Sequence, residues 1–393
     1  MADLKPGWKR VKFGDMVTSA GATRKARGWT AKEAGVDRYV GLEHLDSNSL
    51  KIRRWGSPEA VGENSDLRHF EPGDVLLARR GIELRKVGQA DFSGVASGHA
   101  LVFRARPDVV LPEFLGFFMQ SDAFMQRADR FSVGSLSHTV NLSALTKEEF
   151  ALPPLKEQRR IASLAMNASS VVERYRELVG ITELALQSAL KHLFASGGAR
   201  CSLADLCEDP ITYGIVQAGP HVPDGVPYVR VSDMTGVSRL SLDRMLRTSK
   251  AIAERYHRSQ LATGDIVVAL RGVGGHCHLV PPELDGANLT QGTARVRVGR
   301  HHNSEYVLWA LRSPEGRREF RKYLRGWKGE SLLEITLGDL RGVLIPVVSR
   351  KQQDAAAFTM AMLASAVEDA HARVVQAQTF TREILRSAAG QVS

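Results

Sequence analysis

Residues 152–198 read LPPLKEQRRIASLAMNASSVVERYRELVGITELALQSALKHLFASGG. Pro153 and Pro154 stop whatever precedes the stretch, and Gly197 and Gly198 end it. Between them there is no proline and one glycine, Gly180, which is helix-permitting composition. Apolar or small residues at Ile161, Leu164, Ala168, Val171, Tyr175 and Leu178 step 3-4-3-4-3, the spacing of a coiled-coil seam. Beyond Leu178 this pattern blurs. The stretch predicts a long helix at about 153–196.

Working outward, a second such segment closes the chain. Met360, Leu363, Val367, Ala370, Val374, Ala377, Thr381 and Ile384 continue the same stepping, predicting a helix at about 349–389. The segments preceding the two helices also match. PGDVLLARRG at 72–81 returns as TGDIVVALRG at 263–272, displaced by 191 residues. Val40 to Leu45 is answered by Val229 to Met234, and Leu152-Pro153 by Ile345-Pro346. That period is far too long for a solenoid, so one domain is duplicated. The expected organisation is a first domain at 1–151, a central helix at 152–198, a second domain at 199–345 and a C-terminal helix at 346–393. Two helices after two homologous domains predict an antiparallel pair related by a pseudo-twofold axis.

Within each domain the pattern is α/β, mixed α+β. An entry strand is expected in LKPGWKRVKFGDMV, with short strands at Tyr39–Leu42 and Leu50–Ile52 around a polar turn. Val75–Ala78 and Ala100–Phe103 are continuous apolar runs typical of buried strands. One helix is expected from Leu111 to Arg130, with Phe114, Phe117, Phe118, Met125 and Ala128 inward.

At 393 residues the chain can bury two cores. Its formal net charge of +10 fits a polyanionic partner, nucleic acid above all. Cys201, Cys207 and Cys277 form no CxxC, which suits a reduced intracellular protein. No signal pattern and no run of eighteen apolar residues occurs, so a cytoplasmic, soluble protein is expected.

Enzyme motifs are poor. Gly272-Val273-Gly274-Gly275 leads into a strand-like run, whereas a phosphate loop needs a helix N-terminus behind it. There is no GxxxxGK[ST] and no Asn-Pro-Pro-aromatic run. His276 and His278 could share a strand face, but no second Cys/His pair stands nearby to complete a tetrahedral metal site, so no metal is expected. The nucleic-acid signal is better. Basic and amide residues gather in expected loops: Arg24, Lys25 and Arg27; Arg79, Arg80 and Lys86; Tyr213 and Gln217; Arg271; Gln291; Lys328. Arginine can pair with guanine and glutamine with adenine, while Lys and Ser hold phosphates. Ser135, Ser137 and His138 in SVGSLSHTVN complete the DNA-binding set.

These segments resemble the specificity (S) subunits of type I restriction–modification systems over essentially the whole chain. The resemblance rests on YVGLEHLDSNSLKIRRWG at 39–56, PGDVLLARR, SVGSLSHTVNLSALTKEEFALPPLKEQRRIA at 132–162 and ITYGIVQAGPHVPDGVPYVRVSDMTG at 211–236. LPPLKEQRRIA is the most specific of these. The resemblance implies a non-catalytic subunit with two target-recognition domains, each reading half of a split DNA target in phage defence. It further implies helices that dock two methyltransferase (M) subunits, which bring S-adenosylmethionine and methylate adenine, with restriction (R) subunits cutting. Leu155, Glu157, Gln158, Arg159, Gln352 and Gln353 are the expected M-subunit contacts. The second copy departs from the first, since Arg350-Lys351 stand where Glu157-Gln158 are expected and the glutamine pair is displaced. Two other readings stay open: an orphan specificity-like adaptor of another defence system, and a self-contained DNA-modifying enzyme.

Overall fold

In the computed structural model the run Val75–Ala78 is a strand with all four residues buried, and Ile266–Ala269 repeats it in the second half. Placement is described for residues 4–19, 35–61, 67–133, 139–195, 199–235, 238–272, 276–325 and 333–388. The chain divides into two units, residues 1–177 with 371–393 and residues 178–370. Each long helix is therefore shared between the units, and every contact below lies within one unit.

In the first unit Val75–Ala78 lies in a four-stranded antiparallel sheet, in the order Val17–Ser19, Ala100–Ala105, Val75–Ala78, Val87–Gln89. Side chains alternate across a strand, so Val75 and Leu77 face one core while Leu76 and Ala78 face another. The first core is closed by helices, including Phe114, Phe118 and Phe124. The other is closed by a three-stranded sheet of Tyr39–Val40, Gly94–Ser97 and Leu67–Phe70, through Val40, Phe70 and Ala96. The second unit repeats this. Its sheet order is Thr212–Tyr213, Thr293–Val296, Ile266–Ala269, Cys277–Leu279, with Ile266 and Val268 on the helix side and Val267 and Ala269 opposite.

The duplication extends to polar detail. The turns before the two central strands need a positive φ, supplied by Gly73 at +92° and Gly264 at +88°. The next residue is a buried aspartate whose carboxylate accepts a backbone N–H three residues back, Glu71 to Asp74 and Ala262 to Asp265. Each carboxylate is also forked by an arginine from the neighbouring part of the sheet. Arg104 donates to Asp74 at 2.7 and 2.8 Å, and Arg297 to Asp265 at 2.9 and 2.8 Å. A two-point charge-assisted pair satisfies the buried carboxylate and fixes the turn.

The single helix expected over Leu111–Arg130 is two, Pro112–Gln120 and Asp122–Arg130. Ser121 is extended between them, and its hydroxyl accepts from the N–H of Phe124. Ser313 breaks Ser304–Arg312 from Pro314–Tyr323 in the same way, accepting from the N–H of Gly316. A serine there favours the cap over a continuous helix. The strand expected at Leu50–Ile52 reduces to one bridge, Lys51 to Gln89.

Leu155–Leu193 and Arg350–Ala388 are both 39-residue helices, each about 60 Å long at roughly 1.5 Å per residue. Along the second, Met360 through Ile384 follow the expected seam, every member buried or half-buried. Along the first, the expected seam holds at Ile161, Ala168 and Tyr175 and fails at the other positions. Leu164, Val171 and Leu178 are exposed at 43, 44 and 40 %. The covered positions are instead Ile161, Ala165, Ala168, Val172, Tyr175, Val179, Thr182, Leu186 and Ala189. This stepping runs unbroken past Leu178. Ala165, Val172 and Val179 are covered where Leu164, Val171 and Leu178 were expected, one residue further on in each case. In the first unit Ala165 packs with Leu385 and Phe117, and the Arg373 guanidinium lies 5.9 Å from the Tyr175 ring centre. Numbers rise along one helix as they fall along the other, so these segments are antiparallel.

Candidate nucleic-acid interface

The second unit assembles its exposed polar residues at one end of the central strand. Leu270 follows Ile266–Ala269, its N–H donating to Gly292 O and its carbonyl accepting from Ile335 N. Arg271–Gly272 then pairs antiparallel with Leu333–Glu334. Gln291 N donates to Ile215 O, and Ile215 N to Leu289 O, laying the segment after Tyr213 beside residues 289–291. That approach needs Gly214, since a Cβ there would lie 1.8 Å from Leu289 O. Arg271, Gln291, Tyr213 and Gln217 are thus carried on adjoining segments with their side chains exposed. Arg271 Nε donates to Glu334 Oε1 at 3.1 Å. Both residues are about half exposed, so the pair adds little stability, about 0–1 kcal/mol, and chiefly orients the guanidinium.

The first unit carries the same backbone pattern with different side chains. Arg79 N donates to His99 O and Val140 N to Arg79 O, while Arg80 bridges Thr139 where Arg271 meets Glu334. Arg80 is exposed. Arg79 and Lys86 are half-buried, however. Arg79 Nε donates to Val140 O at 3.1 Å, and Lys86 Nζ to Leu42 O at 2.9 Å. Both act first as ties between loop and scaffold. Arg24, Lys25, Arg27, Ser135, Ser137, His138 and Lys328 lie outside the described residues.

Of the expected partner contacts, Leu155, Arg159 and Gln352 are exposed, and Glu157 is half-exposed and forked by Arg160 at 2.7 and 2.9 Å. Gln352 caps its helix by accepting from Ser349 N and Oγ. Gln158 and Gln353 correct the sequence reading: they are 1 and 2 % exposed, and their amides are spent inside the chain. Gln158 accepts from Leu111 N and donates to Val109 O and Pro153 O. Gln353 accepts from Asn303 N and donates to Val348 O. Pro153 therefore corresponds to Val348, not to Pro346. The second copy is not altered at the glutamine; the two copies align 195 residues apart here, and the shared proline gave the wrong register.

His278 and Cys277 are buried on the strand Cys277–Leu279. His278 Nε2 faces Met234 O at 3.0 Å and Nδ1 faces Arg312 Nη2 at 3.3 Å, so both ring nitrogens are engaged within the protein. Burial, then the Arg312 charge, brings the imidazole pKa down to about 4, and burial pushes the Cys277 thiol up to about 12. Among the described residues no group of three or more His, Cys, Asp or Glu is placed to hold a metal ion, and no helix is long and apolar enough to cross a membrane.

Sequence reasoning missed Glu334, whose partner Arg271 lies 63 residues away in the chain. It also missed Gly214, although a glycine after an exposed tyrosine on a strand is a signal of close backbone approach.

Comparison with known proteins fits this geometry. Residues 5–165 match the type I restriction modification DNA specificity domain. Over 157 residues the chain is 27 % identical to the type I restriction enzyme EcoBI specificity subunit of Escherichia coli, a match that covers 37 % of this chain and 30 % of that relative. Two solved structures share the fold over nearly the whole chain. One comes from work on complex assembly and conformational transition of the type I R-M system, with TM-score 0.60, 18 % identity and 99 % of both chains covered. The other is the type I restriction-modification system S subunit from M. genitalium, with TM-score 0.58, 13 % identity and 100 % of this chain and 98 % of that one covered. The first unit thus matches the type I restriction modification DNA specificity domain over residues 5–165, and the second unit repeats its architecture.

Proposed function

We propose that this chain selects the DNA target of a type I restriction–modification complex, each unit reading one half of a bipartite sequence. The observation that carries the reading is the duplicated strand end, with Arg80 in one unit and Arg271 in the other presented by the same backbone pairing. Arginine at such a position suits the O6/N7 edge of guanine, and Gln291 or Gln217 suits adenine. The long helices set the distance between half-sites and dock two M subunits, with Leu155, Glu157, Arg159 and Gln352 available at their starts. A fixed distance matters because B-DNA turns once per about 34 Å, so a changed spacing rotates one half-site away. Methyl transfer from S-adenosylmethionine to a flipped adenine belongs to the M subunits, and cleavage to R subunits. The chain itself is a recognition subunit without catalysis, working in the cytoplasm.

Duplex binding and turnover by the purified chain test this reading. Salt-dependent duplex binding without methyl transfer or cleavage supports it, and methylation or cleavage by the chain alone contradicts it.

A further inference from the structure

In the second unit a groove of about 660 Å³ separates the first long helix from the helix Pro314–Tyr323. Five of its ten lining residues are cationic, Lys191, Arg312, Arg317, Arg318 and Arg321, and none is acidic. The sequence PEGRREFRKY explains the one-sided charge. Glu315 and Glu319 turn inward, 7 and 4 % exposed. Glu315 accepts from Arg318 at 2.7 Å, and Glu319 from Lys322 at 2.6 Å and Arg200 at 3.2 Å. Arg317 and Arg321 stand one helical turn apart on the exposed side. Arg312 forms the floor, its Nε and Nη2 donating to Cys277 O at 3.0 and 2.6 Å. Burial lowers its pKa, yet a guanidinium is not deprotonated in proteins and stays charged.

Among the described residues the corresponding part of the first unit is less one-sided in charge. The corresponding helix Asp122–Arg130, DAFMQRADR, balances two aspartates against two arginines. Its adjoining cavity is lined by two cationic residues, Arg127 and Arg130, beside aromatic ones that include Trp8, Phe117, Phe118 and Phe150. Among the described residues the groove of the second unit thus carries five cationic residues where the cavity beside the corresponding helix of the first carries two.

We propose that this groove holds backbone phosphates of the duplex beside the half-site read by the second unit, as a sequence-independent clamp. The proposal rests on the DNA-reading function above. Two observations favour a nucleic-acid backbone over an acidic protein surface. The groove exposes one large apolar side chain, Leu184, whereas a protein interface is built on a packed apolar centre. The cationic helix also runs directly on to Arg325, whose backbone exchanges hydrogen bonds with Glu334, the residue that holds Arg271. The clamp is thus joined to the base-reading segment by a short, paired stretch of chain.

The test uses the full chain, with any M subunit that copurifies, and a labelled random-sequence duplex titrated across a range of salt concentrations. Replacing Arg317→Ala and Arg321→Ala together removes two exposed side chains without breaking a described ion pair. The slope of log K against log salt is expected to fall in magnitude by about 2. The pair Arg317→Lys and Arg321→Lys is expected to keep the parent slope, because phosphate accepts a point charge. An unchanged slope in the double alanine variant overturns the clamp, as does an unchanged slope accompanied by loss of a copurifying protein, which would assign the groove to an acidic protein surface. A parent chain with no salt-dependent duplex binding would instead overturn the DNA-reading function itself, and the clamp with it.

Discussion

Gln158 and Gln353 stand at the same point of the two units. Each is buried one turn into a long helix, and each carbonyl accepts a backbone N–H from the segment leading into the domain's helix pair, Leu111 in one case and Asn303 in the other. Each side-chain amide returns to the chain five residues earlier, at Pro153 and Val348. The pairing shows how the start of each long helix is locked to the unit that precedes it.

Gln158→Ala and Gln353→Ala should therefore each destabilise the protein by about 3 kcal/mol, because buried backbone groups lose their partners. Denaturant unfolding measures this. Substitution of the exposed Arg159 should change stability by less than about 0.5 kcal/mol.

The buried imidazole of His278 makes the second unit sensitive to acid. Its pKa in the fold is about 4, below the ordinary 6.5, so the unfolded chain binds the extra proton first. The stabilising difference is fully present above about pH 6.5 and is lost as pH falls from there toward 4. His278→Gln should flatten this part of the stability–pH profile, measured by thermal unfolding at a series of pH values.

At the recognition ridge Arg271→Ala should relax the requirement for one base in one half-site and leave the other half-site unchanged. Glu334→Gln should produce a weaker form of the same change, since Glu334 orients Arg271. Loss of a bidentate base contact costs about 1–3 kcal/mol of discrimination. Binding to single-base variants of the target at controlled salt reads both effects.

The seam of the first long helix continues in phase through Leu178, so a seven-residue insertion preserves it while other lengths do not. Heptads inserted near Leu178 and near Ala370 together should lengthen the spacer between half-sites and keep both half-sites intact. The methylated motif of the altered complex shows whether they do.

The duplication was legible because its markers are local: the Pro-Gly-Asp and Thr-Gly-Asp turns, the apolar strands after them, and the helix-forming stretches. What escaped was decided by tertiary partners. Leu164 and Val171 suggested seam positions that Ala165 and Val172 occupy, one residue further on, since the packing partner and not the pattern of bulk decides which face is covered. Pro153 and Pro346 suggested a register that the amide bonds of Gln158 and Gln353 displace. In the candidate site, Arg80 and Arg271 were found from the repeat. Glu334 was not, because a cross-strand partner is fixed by pairing and not by spacing. Arg79 and Lys86 read as free charges because the carbonyls that hold them, of Val140 and Leu42, lie far away in sequence.

In the function proposed here, two homologous units in one chain choose a bipartite target for a methyltransferase that does not choose it alone. Mapping methylated adenines in cells producing this chain together with a type I M subunit tests it most directly. The expected result is one motif of two fixed half-sites separated by an unread spacer, absent when this chain is omitted. A continuous motif, or a methylation pattern that persists without this chain, would contradict it.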